Sequence, residues 1–132
     1  MIVVVCLDNK NGMLFGGKRQ SIDRALRQRL LEIAKGSALW MNGYSAGQFS
    51  EASGIVVDEA FLEKAGQGEY CFVENAQIQP YRDKIEKIVA YRWNRDYPSD
   101  RKFPAELLTD CESRWDFPGN SHDNITEEIY RV

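Results

Sequence analysis

The sequence predicts an α/β fold: a single-domain three-layer sandwich with a mostly parallel central sheet and helices on both faces. Three observations predict it. Ile2-Val3-Val4-Val5-Cys6-Leu7 is an unbroken apolar run rich in β-branched residues, as in a strand covered on both sides. Strand-like and helix-like stretches then alternate along most of the chain, the order that builds such a sheet. The 132 residues suit one domain, long enough to bury about two thirds of the unfolded chain's surface.

The elements follow in order. After the first strand, Asp8 to Gly12 supplies turn chemistry, with Asn11-Gly12 its strongest part. Met13-Leu14-Phe15 is a short apolar piece ended by Gly16-Gly17. Ser21 is expected to cap a helix, because Ile22, Leu26, Leu30 and Ile33 follow at helical spacing and Gly36 stands where a C-terminal glycine belongs. Ala38 to Met41 reads as the second strand, broken by Asn42-Gly43. Tyr44 to Phe49 reads as a short helix and Ser50 to Gly54 as a loop. Ile55-Val56-Val57 is a short strand. Asp58 is expected to cap a helix over Glu59 to Lys64, stopped by Gly66 and Gly68. Glu69 to Val73 is a strand, Pro80 suits the first turn of a helix reaching Ile85, and Lys87 to Trp93 alternates as a strand. Asn94 to Pro104 is a polar loop, Pro104 to Leu108 a helical turn, Cys111 to Phe117 extended and Pro118 to Asn124 a loop. Ile125, Ile129 and Val132 have helical spacing. The tail is therefore expected to be a helix, with Asn124 as cap and Glu127 completing a capping box.

Composition narrows the function classes. Hydrophobic residues make up 43% and charged residues 28%, as in ordinary globular proteins, and Trp40, Trp93 and Trp115 argue against disorder. The net charge of −3 gives no general pull toward nucleic acid or anionic membranes. Cys6, Cys71 and Cys111 are odd in number and lack CxxC spacing, which favours free thiols in a reducing compartment. The opening run has no basic leader and is too short for a signal peptide or a span, so a cytoplasmic location is expected.

Several stretches together resemble dihydrofolate reductase. The first strand with Asp8-Asn9-Lys10-Asn11-Gly12-Met13-Leu14 resembles that family's opening strand and mobile loop. Ser21-Ile22-Asp23-Arg24 resembles its acidic substrate-site helix, and Trp40-Met41-Asn42-Gly43 the strand ending in its Met-Gly turn. Lys84 to Ile88 through Asp100-Arg101-Lys102-Phe103-Pro104 resembles the late strand and its Asp-x-x-Phe-Pro loop. The matches spread over about two thirds of the chain. The resemblance implies a shortened domain of this type over residues 1–132, with NADPH and a pterin bound in a cleft of the sheet. It gives Asp23 the role of the acid that holds and helps protonate the pterin, with Tyr91 where a supporting Thr usually stands. Asp8 and Trp40 become substrate-site candidates. Lys18, Arg19, Gly43, Tyr44 and Ser45 become cofactor-site candidates.

The chain departs from that pattern where the cofactor should be held. Val73-Glu74-Asn75 stands where a Gly-Gly loop would let amides approach phosphate. An inward Glu74 would repel phosphate by about 4 kcal/mol at 4 Å and an effective dielectric of 20. Tyr44 and Ala46 replace a basic residue and a hydroxyl, the stretch from Gly47 to Ile55 is short, and no Lys or Arg lies between Lys35 and Lys64. Gly16 to Gln20 stands in place of a Pro-Trp pair. The helical tail also disagrees with the family's closing hairpin.

Two other clusters stand out. Lys18, Arg19, Arg24, Arg27, Arg29 and Lys35 against Asp23 and Glu32 give a local charge of +4, read as a solvated helix face before an anion site. Ser121-His122-Asp123-Asn124 holds the only histidine, but adjacent residues do not form a triad among themselves and no GxSxG occurs. No metal site is expected. The favoured expectation is a divergent reductase-like protein holding a small planar or phosphorylated ligand in the cleft, with NADPH-dependent reduction possible but weakened. The alternative is an interaction module that uses the basic helix or an open sheet edge, homodimerisation included.

Overall fold

β1 (Ile2–Leu7) lies inside the main sheet, and its side chains divide between two cores. Val3, Val5 and Leu7 join one cluster, and Val4 joins the other with Ile2 and Cys6 packed beside it. Both faces are covered, which is why the run has no polar member. The structure is a computed structural model that describes residues 1–50 and 54–132. Of the loop expected over Ser50 to Gly54, residues 51–53 lie outside the described residues.

The remaining strands are β2 (Gly12–Phe15), β3 (Lys18–Arg19), β4 (Leu39–Met41), β5 (Ile55–Val57), β6 (Tyr70–Phe72), β7 (Lys87–Arg92), β8 (Arg101–Lys102), β9 (Asp110–Phe117) and β10 (Ile125–Arg131). The helices are α1 (Arg24–Ile33), α2 (Gly43–Ala46) and α3 (Phe61–Lys64). A seven-stranded sheet runs β5-β4-β6-β1-β7-β10-β9. It is parallel from β5 to β7, and β10 and β9 close it as an antiparallel hairpin. α1 covers one face through Leu26 and Leu30. α3, a 3-10 segment over Gln79–Lys84 and residues of β2 cover the other. The fold is thus the expected mixed α/β sandwich, with few helices.

A second sheet, β3-β2-β8, joins the loop after β1 to the loop after β7. Gly16 and Gly17 have φ of +60° and +75° and connect β2 to β3, with Phe15 paired to Lys18. Left-handed backbone at both positions is what a two-residue hairpin turn demands. The polar loop expected from Asn94 to Pro104 therefore contains a short strand.

Three local expectations are corrected. The α1 cap is Asp23, with its side chain on the amides of Ala25 and Leu26, and not Ser21. Pro80 starts a 3-10 segment, not a longer helix. The tail is a strand, so Asn124 caps no helix and Glu127 completes no capping box. Residues four apart share a face in a helix and in a strand alike, so Ile125 and Ile129 fit both. Tyr130, buried on the opposite side from Ile125, breaks the helical reading.

Burying Glu127 and Glu128 on that strand requires partners. Arg29 and Tyr91 take Glu127 at 2.8 and 2.9 Å. Arg92, Arg114 and Tyr130 take Glu128 at 2.8 to 2.9 Å. Glu128→Ala leaves Arg92 without its carboxylate, and we expect a loss of about 3 kcal/mol in urea unfolding at neutral pH.

Candidate functional site

Several of the residues singled out by sequence fall into two groups around the C-terminal end of β1. The first centres on Asp23, which is 2% exposed. One side of its carboxylate caps α1, accepting from Ala25 N and Leu26 N at 2.9 and 3.2 Å. The other side receives the loop before β10: Asn120 N at 2.9 Å, Ser121 N at 2.8 Å and His122 N at 3.2 Å. Ser121 Oγ and His122 Nδ1 add contacts of 3.2 and 3.1 Å. A side chain at Gly119 would overlap the His122 carbonyl oxygen and come within 2.8 Å of Asp23 Oδ2, so the close approach requires glycine. Burial pushes the carboxyl up, but the Asn120 amide, the His122 ring and the amides of Ser121 and Leu26 outweigh it. They hold Asp23 well below the usual carboxylate range.

His122 is 4% exposed and stacks on Trp93 at a centroid distance of 4.6 Å. Its Nε2 meets the Tyr97 hydroxyl at 2.8 Å and Ser21 Oγ at 3.3 Å. The local Ser121-His122-Asp123 string is therefore not the working unit, since the partners of His122 include Ser21 and Asp23 from the other end of the chain. Sequence reasoning missed Ser21 and Tyr97 as histidine partners, because nothing local links them to it.

The second group forms around Arg19. Glu74 points inward and is 8% exposed. Its carboxylate takes Arg19 through two bonds, Nε at 2.9 Å and Nη2 at 3.1 Å, and Gln48 Nε2 at 3.1 Å. The guanidinium lies 4.2 Å above the Tyr44 ring and donates to the Tyr44 carbonyl at 3.1 Å. The Tyr44 hydroxyl accepts from Arg19 N at 2.8 Å. At the start of α2, Gly43 N donates to Glu59 Oε2 at 2.8 Å, and Asn42 Oδ1 accepts from Ser45 N at 3.1 Å. Ser45 is fully buried, and its Oγ has no partner among the described residues. Arg19, Gly43 and Tyr44 thus have partners from within the chain, while Lys18 stays exposed on β3. No sequence signal marked Glu59 as a partner of the α2 amide.

The remaining candidates bond to neither Asp23 nor Arg19. Asp8 organises its own turn, accepting from Lys10 N and Gly12 N at 2.8 Å and from Gln20 Nε2 at 3.0 Å. Trp40 donates to Glu69 at 3.1 Å. Among the described residues no hydrogen bond joins Tyr91 to Asp23; its hydroxyl donates to Glu127 at 2.9 Å, and burial together with that carboxylate raises its pKa far above the usual phenol value. Within the basic stretch, Arg29 is also turned inward, pairing with Glu127 and stacking on Trp115 at 4.7 Å.

Between the two groups lies a cavity of about 10 Å³, lined by Cys6, Met13, Arg19, Gln20, Ser21, Val73, Glu74 and Trp93. That is room for one water, against the several hundred Å³ of a small-molecule site. Among the described residues, no helix is long and apolar enough to cross a membrane.

No family model matches the sequence, and no curated protein matches it either. Among solved structures, the chain is similar to dihydrofolate reductase from Enterococcus faecalis complexed with NADP(H) and RAB-propyl. The TM-score is 0.64 at 11% identity, covering 98% of this chain and 95% of that one. The chain therefore has a dihydrofolate reductase-like fold.

Because the Asp23 pKa is lower folded than unfolded, its contribution to stability is present above about pH 4 and is lost as pH falls below that value. Thermal melts from pH 6 to pH 2.5 should show this loss, with a shallower acid slope in Asp23→Asn, whose melting point is already lower at pH 6.

Proposed function

We propose that the chain is an association module on a reductase-like scaffold and not an NADPH-dependent reductase, and that β5 is its contact surface. The observation that carries this reading is the contrast between the two edges of the main sheet. β9 carries Asp110, Glu112, Arg114 and Asp116, all exposed, the pattern that keeps an edge from pairing. β5 is Ile55-Val56-Val57, with no charge and with Val56 and Val57 exposed by 37% and 54%. Among the described residues, no strand pairs its outer side. An uncharged β-branched edge accepts another extended strand, and a second copy of this chain is the partner we assign to it.

The Arg19–Glu74 pair supports the other half of the reading. A cofactor phosphate would have to displace a two-bonded carboxylate from Arg19, and the 2.8 Å Glu59 bond from the α2 amide. The cavity between Arg19 and Ser21 holds a single water, which leaves no room there for a planar ring.

Titrating the protein with NADPH while following tryptophan emission should give no saturable quenching up to millimolar cofactor. Micromolar saturation would end the non-reductase reading. In light scattering the chain should be a dimer, and Val56→Lys combined with Val57→Lys should be a folded monomer. A monomeric parent protein would remove β5 as the self-association surface.

A further inference from the structure

We propose that Ser21, His122 and Asp23 form a nucleophilic site that hydrolyses esters of short acyl groups. Ser21 Oγ lies 3.3 Å from His122 Nε2, and His122 Nδ1 lies 3.1 Å from Asp23 Oδ2. The connectivity is the one a hydrolytic serine requires: one ring nitrogen faces the nucleophile and the other faces the carboxylate. An ionised Asp23 only accepts, so it keeps the proton on Nδ1 and leaves the Nε2 lone pair toward the hydroxyls. Trp93 fixes the ring plane by stacking. His122 is buried while Ser21 is half-buried, so the base is shielded and the nucleophile can be reached.

The reaction needs nothing beyond water and the ester. Ser21 Oγ bonds to the acyl carbon while its proton passes to His122 Nε2. The C–O bond to the alcohol breaks, and that proton leaves with the alcohol. Water then attacks the acyl-serine with His122 again taking and returning a proton, which releases the acid and restores Ser21. The Ser21 amide has no acceptor among the described residues, which leaves it free for the oxyanion.

The surroundings set the acyl size. Ser21 forms part of the wall of the 10 Å³ cavity, whose apolar lining is Met13, Val73 and Trp93. That space admits only a group about the size of one water, which favours the shortest acyl chains over longer ones. Tyr97 tunes the site in the other direction. Its hydroxyl, 2.8 Å from Nε2, competes with Ser21 for the same lone pair. No residue of β4 or β5 takes part, so the site stands or falls separately from the edge-strand reading.

The test uses the full chain with p-nitrophenyl acetate, p-nitrophenyl octanoate and a fluorophosphonate probe. Acetate should turn over at least about tenfold faster than octanoate, and Ser21→Ala and His122→Gln should each lose at least about tenfold. Tyr97→Phe should be faster than the parent protein. Peptide mapping of the probe-treated protein should place the label on Ser21, a readout that holds even if His122→Gln fails to fold. A label elsewhere or none, or Ser21→Ala as active as the parent protein, would overturn the proposal. Loss in His122→Gln alone would also overturn it, since it would mean that the imidazole acts without the serine.

Discussion

The rest of the structure depends on the Asp23 carboxylate and the two chain segments it joins. An acid at the start of a helix satisfies amides that α1 would otherwise leave bare. Here the same group also collects the amides of Asn120, Ser121 and His122. Helix start and C-terminal hairpin are thereby fixed to one another from opposite ends of the chain. The position of His122, its stacking on Trp93 and its approach to Tyr97 and Ser21 all follow from that attachment. Gly119 is part of the same arrangement, because a larger residue would hold the loop away from the carboxylate.

A second regularity runs through the interior: inward cations meet carboxylates of the same chain. Arg19 meets Glu74, Arg29 meets Glu127, and Arg92 meets Glu128. Buried pairs of this kind add little net stability relative to apolar side chains, but each cation would be costly if left alone. The cluster of positive charge between Lys18 and Lys35 is therefore smaller at the surface than in the sequence. Glu59 does for the amide of Gly43 what Glu74 does for the guanidinium of Arg19.

The sequence was legible wherever local pattern is decided by burial. β1 could be read because both its faces are covered, and α1 because its apolar residues recur on one face. The reading of the tail failed because Ile125 and Ile129 satisfy two periods at once, and only Tyr130 on the far face separates them. Asp23 was legible as a helix-start acid, but not as the acceptor for a loop near the other end of the chain. Glu74 could be named as the residue opposing phosphate, yet its direction depended on Arg19 and Gln48 reaching it from other elements. Ser21, read from the sequence as a helix cap, gains its histidine neighbour only through the folding of the hairpin.

The Arg19–Glu74–Gln48 contacts also bear on how such a chain changes over evolutionary time. Losing Glu74 alone strands a partly buried guanidinium, and losing Arg19 alone strands a buried carboxylate, each at a cost of about 3–5 kcal/mol. That is a large share of the 5–15 kcal/mol that holds a domain together. The effects of the two substitutions are strongly coupled, so neither single step is easily tolerated on the way to the double one. Internal charge pairing of this kind acts as a ratchet. With its own carboxylate settled on the cation, a chain cannot readily be converted to an anion-binding groove one residue at a time.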